Sequence, residues 1–261
     1  MNLDKTGFLS LTLDLTQKPF SCSSTLRTEI MNESGDFNML KVVNLKITDA
    51  YRHRFPELPF GIGTIQDCTY FEKRESFKLY KRELLRKMRR RANLAQIGGR
   101  INLYDQFFKE WGYVCPLPNH FKKTVEMGFP IVNLYIDTHI IAEMCYGILM
   151  AIQDMDRFHG EWKLDLAREG ETFQGVSGRM ILCKEGEIVL RDEKDIVCSL
   201  FQGPDFKTRV EPASRNIVVY IFTAPGVEEE YVVSGLQLAL EILEKFGGGT
   251  DSWWKVFRPS F

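Results

Sequence analysis

The side chains best able to ligate a metal or attack a carbonyl are four histidines, His53, His120, His139 and His159, and six cysteines, at 22, 68, 115, 145, 183 and 198. No two histidines stand four apart, and none lies near a cysteine at zinc spacing. No two cysteines form a CxxC pair. A histidine- or cysteine-built metal site is therefore not expected. Asp137, Asp154, Asp156, Asp192 and Asp195 have the chemistry to gather around magnesium, but carboxylates at strand and helix ends more often cap helices and form turns. The chain has no HExxH, no GxSxG, no phosphate-binding P-loop and no GxGxxG, and Gly61-Ile62-Gly63 is too short to count as one. No cofactor is implied.

The strongest local charge feature is basic. Lys78, Lys81, Arg82, Arg86, Lys87, Arg89, Arg90 and Arg91 face away from a stripe of Phe77, Tyr80, Leu84, Leu85 and Met88 on a helix predicted over 73–91. Such a face is either an ordinary solvated helix surface or a phosphate-backbone contact that binds nucleic acid without reading sequence. Phe77 and Tyr80 sit at core spacing and are not read as stacking platforms.

These groups belong to a chain of 261 residues, 44% hydrophobic, 12% aromatic and 26% charged, with net charge -1. That composition excludes a disordered, collagen-like or coiled-coil chain. A chain this long buries roughly three quarters of its unfolded surface and needs no staple. The near-zero net charge gives no sign of nucleic-acid binding, so any such surface is a local patch. Met1-Asn2-Leu3-Asp4 carries no basic side chain, so no secretory start is expected, and the sequence has no run of eighteen successive apolar residues. The expected location is cytoplasmic, with reduced cysteines acting mostly as core filler.

Residues 1–38 differ from the rest, with polar, turn-rich stretches at 21–24 and 32–38, and Met31 and Met39 are read as alternative starts. Leu9, Leu11, Leu13 and Leu15 alternate with polar residues, which fits an amino-terminal strand or arm; an over-long start with little structure competes with it. Strands are predicted over 41–47 and 60–68. Gly98-Gly99 is expected to end the basic helical region. Further helices are predicted over 102–111 and 119–127, stopped by Gly112 and Gly128. The most apolar segment, 136–149, reads as a buried helix on which Glu143 needs water or a partner. Beyond Asp156, short strands are predicted over 162–167, 178–184, 187–192, 195–201 and 216–222. Glu185-Gly186 is read as a hairpin turn and Glu193-Lys194 as a tight reversal. This pattern is α+β, with a barrel or sheet core of short antiparallel strands surrounded by helices. A last helix carries Val232, Leu236, Ala239, Leu240, Leu243 and Phe246 on one face. The tail Trp253-Trp254-Lys255-Val256-Phe257 either docks back or makes a partner surface, and docking avoids exposing two tryptophans.

An ordered set of segments resembles the free-standing relatives of the B3/B4 domain in the β subunit of bacterial phenylalanyl-tRNA synthetase. They are Arg54-Phe55-Pro56-Glu57-Leu58, the basic helical stretch, and Leu103-Tyr104 to Gly112-Tyr113. Then come 129–137 (FPIVNLYID), Gly147, Asp154, 166–171 (LAREGE), 186–192 (GEIVLRD) and Arg215-Asn216. The resemblance runs from about 46 to 246 and divides the chain into an arm at 1–38, a B3/B4-like domain at 39–250 and an aromatic tail at 251–261. It implies a barrel-centred α+β domain and kinship with a domain that hydrolyses wrongly attached tyrosine from the phenylalanine tRNA. The usual editing residues are replaced: His139 and Ile140 stand where that domain has Thr-Asn, Ala151 where it has its histidine, and Tyr220 where it has its glutamate. The aminoacylation motifs are absent.

The resemblance implies a tRNA- or aminoacyl-tRNA-binding module, with a free-standing editing hydrolase as its catalytic form. His139, Glu143 and Asp154 are the candidate catalytic residues, although a lone histidine on an apolar helix is more often a core residue. Lys78, Lys81, Arg82, Arg86, Lys87, Arg89, Arg90 and Arg91 are the candidate RNA contacts. The alternative is a non-catalytic binder of an amino-acid-like small molecule, with Asn133, Asp137, Arg215 and Asn216 as polar contacts. A protein that acts only through its aromatic tail has the least support.

Overall fold

A computed structural model describes residues 43–259. The predicted arm at 1–38, Cys22 and Val42 lie outside the described residues. The chain first runs β1 (Leu45–Ile47), α1 (Asp49–Arg54), β2 (Phe60–Gln66), α2 (Glu75–Met88), α3 (Arg91–Glu110), α4 (Leu117–Met127) and α5 (Leu134–Tyr146). It continues through β3 (Leu149–Asp154), a single 3-10 turn, β4 (Trp162–Leu166), β5 (Thr172–Gln174), β6 (Met180–Leu182), β7 (Ile188–Arg191), β8 (Ile196–Ser199) and β9 (Gly203–Pro204). It closes with β10 (Ile217–Phe222), α6 (Glu229–Gly247) and β11 (Thr250–Phe257).

The fold is α+β. A four-stranded antiparallel sheet has the order β11-β2-β10-β3, and a five-stranded sheet has the order β1-β4-β7-β8-β9 with only β1 and β4 parallel. β5 and β6 form a separate hairpin. The sheets stay open, and no closed barrel forms among the described residues. β10 is buried along its whole length, and its unbroken run of Ile217, Val218, Val219, Tyr220, Ile221 and Phe222 suits a central strand covered on both faces. α6 crosses β2 at close range because β2 offers glycine there. A Cβ added at Gly61 would stand 2.4 Å from Val232 Cγ1, closer than any real contact allows.

α5 begins with Asn133, whose side chain accepts the Ile136 N–H at 2.9 Å. It ends at Gly147, whose φ of 64° closes the helix in the left-handed region. The predicted helix over 136–149 is therefore shorter at its far end, and the chain turns directly into β3. The predicted helix over 73–91 is likewise divided. Arg90 is extended (φ -64°, ψ 135°), and the Asn93 amide donates to the Lys87 carbonyl at 2.9 Å, satisfying the end of α2.

Gly98 and Gly99 do not end the helical region; they lie inside α3. Each glycine costs about 1 kcal/mol in a helix. Burial of Ile97, Ile101, Tyr104, Phe107 and Phe108 on the opposite face outweighs that. Glu185-Gly186 is a turn but not a hairpin, because it links β6 in the small sheet to β7 in the five-stranded one. β7 pairs with β4 instead, with Leu190 opposite Leu164. The Glu193-Lys194 reversal does join paired strands, β7 and β8.

The aromatic tail docks. β11 pairs with β2, placing Trp253 opposite Thr64 and Phe257 opposite Phe60. Trp253 and Trp254 pack partly buried against the core. Cys68, Cys115, Cys145, Cys183 and Cys198 are free and buried, and burial pushes each thiol up to about 12.

Candidate functional site

Where α4 and α5 meet the near end of β3, they enclose a cavity of about 330 Å³. That is at the small end of the range for ligand pockets. α4 supplies His120, and α5 supplies His139 and Glu143, one turn apart on the same face. β3 supplies Leu149, Met150 and Ala151, and the segment 198–204 closes the opposite wall. Phe108 and Phe222 add apolar surface.

Glu143 is 2% exposed. Its Oε1 accepts the Met150 N–H at 3.1 Å, while Oε2 has no hydrogen-bond partner. His120 Nδ1 stands 3.6 Å from Oε2. His120 Nδ1 and His139 Nδ1 are likewise buried atoms without partners. Burial lowers the pKa of the His139 imidazole, and His120 lowers it further against the opposing pull of Glu143 and Asp137. A neutral imidazole beside a carboxylate can accept a proton from water or hold a donor-rich group. In the far wall, Ser199 Oγ donates to Glu187 Oε2 at 3.0 Å, so its hydroxyl is engaged rather than poised to attack. Glu187 also accepts from Lys184 N at 2.8 Å, from Gln202 Nε2 at 3.1 Å and from the Tyr113 hydroxyl.

The structure brings His139 and Glu143 together and adds His120, which sequence reasoning passed over. The available signal was weak: His120 flanks the α4 residues Leu117 and Thr124 that turn inward. Asp154 lies at the far end of β3 and does not line the cavity. It accepts Ser214 Oγ at 2.6 Å and the Asp156 N–H at 3.1 Å, and it faces Arg157 Nε at 3.3 Å.

Asn133, Asp137, Arg215 and Asn216 do not line the cavity either. Asn133 caps α5. Asp137 pairs with Lys81 at 2.5 Å. Arg215 donates to the Pro212 and Ser214 carbonyls at 2.9 and 3.0 Å. Asn216 donates to Asp156 Oδ2 at 2.8 Å.

The basic surface is also rearranged. Lys81 is buried, so it does not share the exposed face. At helical spacing, 77, 81, 84 and 88 form one inward stripe, and Lys81 reaches Asp137 from within it. Arg82, Arg90 and Arg91 are exposed. Lys78 pairs with Glu75 at 3.6 Å, and Arg86 grips Glu83 at 2.7 and 3.0 Å. Arg89 donates to the Val125 carbonyl at 2.6 Å, and Lys87 is half-buried.

Ala151 lines the cavity, and Tyr220 is its cross-strand partner on β10. The Tyr220 hydroxyl donates to Gln153 Oε1. Gln153 Nε2 in turn donates to the Val197 carbonyl at 3.0 Å and to Asp205 Oδ1 at 3.1 Å. Burial holds the Asp205 carboxyl above its ordinary range. This buried network pairs its polar groups with one another.

No family model matches the chain. Over 86 residues, 33% of its length, the chain is 30% identical to the phenylalanine–tRNA ligase β subunit of Mycoplasma genitalium, and it spans 11% of that protein. A solved N-terminal fragment of the phenylalanyl-tRNA synthetase β subunit from Pyrococcus horikoshii aligns with a TM-score of 0.44 and 11% identity. That alignment covers 82% of this chain and 50% of the fragment. Among the described residues, no helix is long and apolar enough to cross a membrane, and no group of three or more His, Cys, Asp or Glu side chains is arranged to hold a metal ion.

Proposed function

We propose that the cavity receives the aminoacyl end of a charged tRNA, and that the exposed arginines of α2 and the start of α3 contact its phosphates. One observation carries this reading: a largely apolar cavity of about 330 Å³ is lined by His120, His139 and Glu143, each holding a polar atom without a hydrogen-bond partner; the sequence resemblance, which pairs His139 and Ala151 with editing positions, supports it. The sequence similarity to a phenylalanine–tRNA ligase β subunit supports it, and kinship with the B3/B4 domain of that subunit is part of the proposal.

The test is binding of charged and uncharged tRNA at several salt concentrations. Charged tRNA should bind more tightly, and both affinities should fall steeply with salt. Exchanging Arg82, Arg90 and Arg91 for Glu should weaken both. Absence of any complex at low salt rejects the reading. Release of amino acid from a panel of charged tRNAs, lost in His139→Ala, would add hydrolysis to binding; a neutral imidazole acting as general base is the chemistry that would perform it.

A second reading is favoured by the pairing of Lys78 with Glu75 and of Arg86 with Glu83, which reduces the free charge on the basic face. In that reading the cavity binds an amino-acid-like small molecule without RNA.

A further inference from the structure

Glu143 is the one acidic side chain lining the cavity, and no Lys or Arg joins it there among the described residues. Its Oε2 is buried without a hydrogen-bond partner, and so are the Nδ1 atoms of His120 and His139, two other residues of the lining. A carboxylate oxygen removed from water is costly unless a donor or cation reaches it. His120 Nδ1, at 3.6 Å, is too far to hydrogen-bond. A primary ammonium carries three donors on one compact charge, and three residues lining the cavity each hold a polar atom without a hydrogen-bond partner, which can accept once each imidazole carries its proton on Nε2. Of the remaining lining, Phe108, Leu149, Leu200, Phe201 and Phe222 are apolar, while the Ser199 hydroxyl and the Gln202 amide nitrogen are both engaged with Glu187. A free carboxylate entering this space would meet a like charge in Glu143 and no Lys or Arg among the described residues.

We infer that the cavity takes an apolar molecule bearing a primary ammonium and a blocked carboxyl, with Glu143 as the anchor and His120 and His139 completing the set of acceptors. The inference rests on the aminoacyl reading of the cavity and narrows it: an ester or amide of an amino acid is admitted, and the free zwitterion is refused.

Calorimetric titration of the full chain tests this with phenylalaninamide and leucinamide, the two free amino acids, and N-acetylphenylalaninamide. The amides should bind. A free carboxylate or an acetylated amine should each weaken binding by about tenfold or more, the effect of losing a hydrogen bond to a charged group. Glu143→Gln retains an acceptor for the Met150 N–H and should weaken the amides by a similar factor. Equal binding of phenylalaninamide and its N-acetyl form, or of free amino acids and amides, overturns the inference. The ligand series on the unaltered chain decides the matter if the variant does not fold. Charged tRNA is titrated in parallel. If it binds while the amides do not, the ammonium assignment falls and the aminoacyl reading stands; if neither binds, both fall.

Discussion

Lys81→Met removes the cation from a pair that solvent cannot reach. Lys81 Nζ lies 2.5 Å from Asp137 Oδ2, with the two side chains 6% and 1% exposed. The same nitrogen donates to the Pro130 carbonyl at 2.6 Å, and Asp137 Oδ1 accepts the Val132 N–H at 2.9 Å. At an effective dielectric of about 20, opposite charges at this separation attract by roughly 7 kcal/mol, and the lost hydration of both ions offsets several of these. Removing one partner leaves Asp137 buried and uncompensated, so the expected loss of stability is about 3–5 kcal/mol.

Asp137 sits in the first turn of α5, the helix that carries His139 and Glu143, so the loss is felt where the cavity is built. Adding Asp137→Asn to the variant removes the orphan charge and should restore a large part of the loss. Urea unfolding followed by tryptophan fluorescence measures both variants. A loss below about 1 kcal/mol, the range of an exposed pair, would refute the argument that the pair is buried and structural. So would tRNA affinity per folded molecule that falls as far in Lys81→Met as in Arg82→Glu, because a buried lysine cannot reach a phosphate.

Gly61→Ala forces a methyl group against Val232 Cγ1, where an added Cβ stands 2.4 Å away. The expected cost is about 1–3 kcal/mol, read from the melting temperature, and an unchanged melting point would show that α6 can lift from β2 freely. The depressed pKa of His139 sets a sign for pH. Well above the ordinary value of 6.5 the imidazole is neutral in both states. As pH falls through that value, the unfolded chain takes up a proton that the folded chain refuses, so stability drops until the folded pKa is passed. Urea midpoints between about pH 7 and about pH 5 should therefore fall more for the wild type than for His139→Gln. Parallel slopes would mean that His139 titrates normally in the fold.

Much of the fold was legible because local signals agreed with tertiary demand. Gly128 and the apolar face of α6 mark their helices on the sequence alone, and β10 reads as a strand from its β-branched and aromatic residues. The misread elements are those where packing overruled the local signal. Gly98-Gly99 reads as a stop, yet its neighbours bury enough apolar surface to carry the helix through. Glu185-Gly186 reads as a hairpin, yet its flanking strands have better partners elsewhere. Lys81 reads by residue type as one more exposed cation, yet its helical phase places it with Phe77, Leu84 and Met88 on the buried face.

The candidate site divides in the same way. His139 and Glu143 could be named from the sequence because they share one helix and its period places them on one face. His120 and Met150 join them only because α4 and β3 pack against α5, and the 198–204 wall only because the fold brings it to the same cavity. Residue type and spacing determine what each segment can do by itself, since helix and strand periods act over a few residues. Which segments face one another is set by burial and by the pairing of distant strands, and only the folded chain decides it.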